Sequence, residues 1–143
     1  MDEAPARAAP SGGDILRRLC ESYAVFRDCR PLAIGIHKTL RAALPELDAA
    51  GLRQALHRHT GSTRYLKAIA TGEERFDLAG AVVGLITDEQ KQQATEALRE
   101  RFKKGAERRR EQQREAERQA REAARTQQHQ AKLEQLARKF NTR

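Results

Sequence analysis

The sequence predicts an α+β chain: a small helix-rich domain carrying one β-hairpin, followed by a long basic α-helix. Three observations lead there. Between residues 14 and 72, apolar side chains recur at three- and four-residue spacing, in runs cut by Pro31, Pro45 and Gly72. Arg75-Phe-Asp-Leu78 and Ala81-Val-Val-Gly-Leu-Ile86 flank Ala79-Gly80, a turn between two short strands. From Asp88 to about Lys139 there is no proline, and the only glycine is Gly105.

Residues 1–13 are small, rich in Pro and Gly, and lack large apolar anchors, so disorder is expected. A first helix is expected from Asp14, its N-cap, carrying Ile15, Leu16, Leu19, Tyr23 and Phe26 up to Pro31. A second runs from about Gly35 to Leu44 with Ile36, Leu40 and Leu44 on one face, and Pro45 stops it. A third spans about Asp48 to His59, with Leu52, Ala55 and Leu56 inward. A fourth starts near Ser62 or Thr63, carries Tyr65, Leu66 and Ile69, and closes at Gly72. The hairpin follows, and it must pack on helices because two strands alone are marginal.

Thr87-Asp-Glu-Gln90 has the form of a capping box and opens the last helix. Continuous, that helix has roughly 50 residues and a length of about 75 Å. Ala94, Leu98 and Phe102 are placed to pack its start on the domain. Beyond Gly105 large apolar residues reappear only at Leu133, Leu136 and Phe140, so burial does not hold this helix. Charge pairs at three- and four-residue spacing do, among them Glu100–Lys104, Glu107–Arg110, Glu111–Arg114, Glu115–Arg118, Glu117–Arg121 and Glu134–Arg138. Sustained apolar heptads are missing, which argues against a coiled coil. The expected organisation is a disordered segment 1–13, a domain 14–105 and a helical extension 106–143.

Charge is divided unevenly. Residues 1–90 hold 12 basic and 12 acidic side chains; residues 91–143 hold 16 basic and 8 acidic, the whole net excess of +8. A basic terminal segment points to a nucleic acid or an anionic surface, against the plainer reading of a solvated helix face. Cys20 and Cys29 fall nine apart in one helical pattern, where their side chains diverge, so they read as reduced apolar residues of a cytoplasmic protein. No stretch has the apolar length of a membrane span, and the N-terminus has no apolar signal core.

No catalytic constellation, phosphate loop or zinc spacing occurs, so no enzyme, metal or cofactor is expected. His57 and His59, two apart on a helix, diverge and read as polar surface residues. The cations of the domain are better placed for binding. Lys38 sits in the first turn of its helix, Arg53 and Arg58 on the next, Arg64 after the Ser62/Thr63 start, and Arg75 at the hairpin.

Three phrases, Pro31-Leu-Ala-Ile-Gly-Ile-His-Lys38, Thr60-Gly-Ser-Thr-Arg-Tyr-Leu66 and Arg75-Phe-Asp-Leu78, occur in order, and together they resemble the ProQ/FinO family of bacterial RNA chaperones over roughly residues 22–100. The resemblance implies a ProQ/FinO-like domain that binds 3′ terminator hairpins of small RNAs and mRNAs in post-transcriptional regulation. Gly35-Ile36-His37-Lys38 matches the family's helix-start motif, Tyr65 its pocket tyrosine and Arg75 its hairpin arginine. The implied pocket for a free RNA 3′ end comprises Gly35, Ile36, His37, Lys38, Thr60, Ser62, Thr63, Tyr65 and Arg75. Lys38, Arg53, Arg58 and Arg64 are expected on stem phosphates, because an A-form stem is read by shape, phosphates and 2′-hydroxyls. The sequence departs from the family at His57, where an arginine often sits, and at His59, where an aromatic is common.

Arg110, Arg114, Arg118, Arg121 and Arg125 line one face of the long helix and are expected to make accessory RNA contacts. The expected partner is structured RNA with a 3′ single-stranded tail, bound by a monomer. The competing reading is a protein-interaction or structural module, its long helix a spacer or oligomerisation arm ending in Leu133, Leu136 and Phe140. DNA binding is a third.

Overall fold

The computed structural model describes residues 9–141. The chain divides into two compact units, Met1–Arg99 and Glu100–Arg143, a cut upstream of the 105/106 boundary expected from the sequence. Among its described residues the first unit holds five helices and a two-stranded antiparallel sheet, in the order α1 (Gly12–Ser22), α2 (Ala24–Arg27), α3 (Ile36–Ala43), α4 (Ala49–Thr60), α5 (Thr63–Thr71), β1 (Glu74–Phe76), β2 (Val82–Leu85), and then the start of α6 (Asp88–Asn141).

Helix α1 begins earlier than expected. Its N-cap is Ser11, whose hydroxyl accepts from the Asp14 amide while the Asp14 carboxylate accepts from the Ser11 backbone N–H. This capping box puts Asp14 at the third helical position rather than at the cap. Residues 12 and 13, expected within the disordered segment, are helical for that reason. Residues 1–8 of that segment lie outside the described residues.

The first helical run also breaks where none was expected. Tyr23 is extended, and α2 is a separate turn. Arg27 reaches back from α2, donating to the carbonyls of Cys20 and Glu21, so two of the last carbonyls of α1 are satisfied from outside the helix. Cys29 lies beyond both helices with φ 49°, and both cysteines are free thiols. Burial raises the Cys20 pKa, with Cys29 a second cause.

Helices α1 and α4 pack directly on one another. Gly51 permits the approach: a Cβ there would stand 2.7 Å from Ile15 Cδ1. Around this contact Ile15, Leu19, Phe26, Leu40, Leu52 and Ala55 form a closed core, each at most 2% exposed. Asp48 caps α4 through its carboxylate, and of the two residues the sequence offers at the start of α5 it is Ser62 that caps, through its hydroxyl.

In the hairpin, Glu74 pairs with Leu85 and Arg75 with Gly84, then a bulge brings Phe76 opposite Val82. Gly80, at φ 85°, makes the turn, with Asp77 Oδ1 accepting from the Ala81 amide. The other edge of β1 is covered by residues 31–33, where Phe76 N–H donates to Pro31 and Ala33 N–H donates to Phe76. The Thr87–Gln90 capping box forms and starts α6. Ala94 is buried; Phe102, expected to pack on the domain, is 53% exposed.

The second unit consists of the helical residues of α6 from Glu100 onward. Residues 107–141 are all exposed. Of the pairs expected along it, Glu100–Lys104 and Glu115–Arg118 are closed, at 4.0 and 2.6 Å. Among the described residues no helix is long and apolar enough to cross a membrane.

Candidate nucleic-acid interface

The Gly35–Lys38 phrase starts α3 by a left-handed turn. Gly35 has φ 79°, a conformation costly for a residue with a Cβ. Ile36 then points into the core at 8% exposure, while His37 and Lys38 face solvent. The Ile36 amide donates to Ala33 and the Lys38 amide to Gly35, so two amides of this helix start are already bonded.

The Thr60–Tyr65 phrase forms the α4–α5 corner. Thr60 Oγ1 donates to the Leu56 carbonyl at 2.9 Å. Ser62 Oγ donates to the His59 carbonyl at 2.7 Å and accepts from the Tyr65 amide. Thr63, the first residue of α5, is half-buried. Tyr65 is 7% exposed, and its hydroxyl accepts from Leu32 N–H at 3.1 Å. These groups build the corner and fasten it to the segment 31–33 beside β1.

His59 is not the surface residue that the sequence suggests. It is 4% exposed, with its ring 5.0 Å from that of Phe26 and 5.4 Å from that of Tyr65. Burial pushes its pKa below the ordinary histidine value, and the Arg64 guanidinium adds to this. The neutral ring therefore serves as an aromatic core residue, with Nε2 lacking a hydrogen-bond partner.

Arg75 is half-buried and committed on two sides. Nη1 donates to the Leu32 carbonyl at 2.8 Å, and Nη2 donates to Gln90 Oε1 at 2.9 Å. Its Nε is buried without a partner. The side chain borders a cleft of about 520 Å³ shared with Ala33, Ile34, Thr39 and Asp77.

A second cleft, of about 350 Å³, lies between α3 and α4. It brings together His37, Arg53 and Thr60 from the residues singled out in the sequence, and adds Arg41 and His57. The sequence did hold a signal for the added pair. His37 and Arg41 are four apart on α3, Arg53 and His57 four apart on α4, so each helix turns two such groups to one side. Among the described residues no carboxylate lines this cleft.

The other cations are dispersed. Arg58 lies over the first turn of α1, where a Cβ on Gly13 would stand 3.1 Å from its Nη1. Arg64 is exposed, beside His59. Lys38 lines neither cleft. On α6, Arg110, Arg114, Arg118, Arg121 and Arg125 are all exposed, and Arg118 is paired with Glu115. Among the described residues, no group of three or more His, Cys, Asp or Glu is placed to hold a metal ion.

Helices around an inserted hairpin, followed by one long helix, define a class that comparison with known proteins identifies. Residues 11–111 match the ProQ/FINO family, and the chain belongs to it. A relative from Idiomarina loihiensis, an RNA chaperone ProQ, is 36% identical over 102 residues, covering 66% of this chain and 49% of its own length. The RNA chaperone ProQ of Pasteurella multocida is 35% identical over 81 residues, covering 54% of this chain and 39% of its own length. The chain thus spans about half the length, or less, of these curated relatives. Among solved structures, a FinO-like RNA chaperone from Neisseria meningitidis superposes with a TM-score of 0.56 at 41% identity, covering 58% of this chain and 88% of that one. A ProQ homolog from Legionella pneumophila gives a TM-score of 0.54 at 25% identity, covering 71% and 92%.

Proposed function

We propose that this protein is a non-enzymatic RNA chaperone of the cytoplasm that binds 3′ terminator hairpins of small RNAs and mRNAs as a monomer. The observation that carries the reading is the four-group basic rim of the α3–α4 cleft, on a domain whose relatives are named RNA chaperones. His37, Arg41, Arg53 and His57 belong to no ion pair among the described residues, so their donors are available to phosphate. In this reading the free 3′ end is recognised by Gly35–Lys38, the Thr60–Tyr65 corner and Arg75. Lys38, Arg53, Arg58 and Arg64 meet stem phosphates, and the arginines of α6 add contacts that do not depend on sequence.

The test is a gel shift with one hairpin carrying either a free 3′-hydroxyl or a 3′-phosphate. The blocked end should bind more weakly by about 1–3 kcal/mol, the scale of a lost charge-assisted or buried polar contact. Equal affinity would remove the 3′-end assignment.

A second reading rests on Leu133, Leu136 and Phe140, which are 52%, 51% and 80% exposed near the end of α6. Apolar residues at that spacing suit a protein contact, with α6 as spacer or oligomerisation arm. Sedimentation at several protein concentrations decides whether the chain self-associates through them.

A further inference from the structure

The α3–α4 cleft has a floor as well as a rim. Leu52 is 2% exposed, Leu56 is half-buried, and Ala49 stands at the start of α4 with only a methyl group. Its volume of about 350 Å³ falls within the range of small-ligand sites. Every polar side chain above the floor except Thr60 is planar and basic: two imidazoles and two guanidiniums. Bases freed from a stack rest on histidine rings and arginine planes, and phosphates take paired donors from arginine. The cleft beside Arg75 lacks this character, because Asp77 lines it.

We propose that the α3–α4 cleft holds one unpaired nucleotide, its base over Ala49 and Leu56 between the imidazoles, its phosphate on Arg41 and Arg53. The ligand chemistry is a nucleoside monophosphate unit, supplied by a bulged nucleotide of a bound hairpin or by a free nucleotide. The inference rests on the RNA reading above and assigns His37 and Thr60, which that reading places around the 3′ end, to a nucleotide subsite of their own. It also gives His37 and His57 a use as stacking planes.

The experiment compares two hairpins with the same stem length and the same free 3′ tail, one fully paired and one with a single bulged uridine in the lower stem. The full-length protein should bind the bulged hairpin about tenfold tighter, a difference of about 1.4 kcal/mol. Ala49→Leu, at an exposed position, fills the cleft without touching the core. It should bring the bulged hairpin to within about twofold of the paired one. Uridine 5′-monophosphate, titrated against the methyl resonances of Ala49 and Leu56, reads the free source. Saturation there, with both hairpins bound equally, assigns the cleft to free nucleotides. Equal hairpin affinities with no methyl shift overturn the proposal, and so does an Ala49→Leu loss shared equally by both hairpins. A protein that binds neither hairpin instead removes the RNA reading itself.

Discussion

Tyr65 and Arg75 hold the two faces of one peptide residue: the Tyr65 hydroxyl accepts from Leu32 N–H at 3.1 Å, and Arg75 Nη1 donates to the Leu32 carbonyl at 2.8 Å. Leu32 is 3% exposed, so neither backbone group has water to turn to. Residues 31–33, the cover of β1, are thereby tied to α5 and, through Arg75 and Gln90, to the first turn of α6. Tyr65→Phe and Arg75→Gln should each cost about 1–3 kcal/mol in urea unfolding, because each orphans a buried polar group. Both act on Leu32, so the double variant should depart from additivity by roughly 0.5 kcal/mol or more. Additive losses would show that the two contacts are independent.

The α1–α4 contact makes a second prediction. Gly51→Ala gains helix propensity, worth about 0.8–1 kcal/mol, but forces a methyl against Ile15 Cδ1 in a core that does not yield, at about 1–3 kcal/mol. The variant should be less stable than the parent. In an Ile15→Val background Cδ1 is gone, and the same Gly51→Ala change should become stabilising. Thermal unfolding of the four proteins reads both signs.

His59 links stability to pH. Its folded pKa lies below 6.5, so the unfolded chain takes up the proton first as pH falls. Well above pH 6.5 both states are neutral and this group contributes no pH dependence. Below 6.5 stability should fall until the folded pKa is passed, and then level off. His59→Phe keeps an aromatic between Phe26 and Tyr65 and should flatten this slope in urea midpoints measured from pH 7.5 to 5.5. An unchanged slope would assign the dependence to other groups.

Removal of residues 106–143 should leave the first unit folded and selective for 3′ hairpins, since its core draws no residue from beyond Ala94. Arg110, Arg114, Arg118, Arg121 and Arg125 leave with the deletion. Affinity and the slope of its salt dependence should fall together, because that slope counts phosphates neutralised. A salt titration of RNA binding by the full and shortened chains checks this; equal slopes would make the extension a spacer.

What the sequence determined by itself was local. Helix cores, the α5 start at Ser62/Thr63, a hairpin turn that includes Gly80 and the Thr87–Gln90 box depend on neighbours within four residues, and propensity, periodicity and capping read such distances directly. The three phrases also carry the family resemblance, being contiguous runs of sequence. Interactions between elements were not legible. Arg27 capping α1 from beyond a break at Tyr23, and His59 buried between Phe26 and Tyr65, require the packed core to bring partners together. The same holds for the binding groups. Spacing puts His37 with Arg41 and Arg53 with His57, but only the packing of α3 against α4 makes one rim of them. Arg58, five residues from Arg53, is turned instead toward α1, because a helix advances about 100° per residue and five steps point elsewhere.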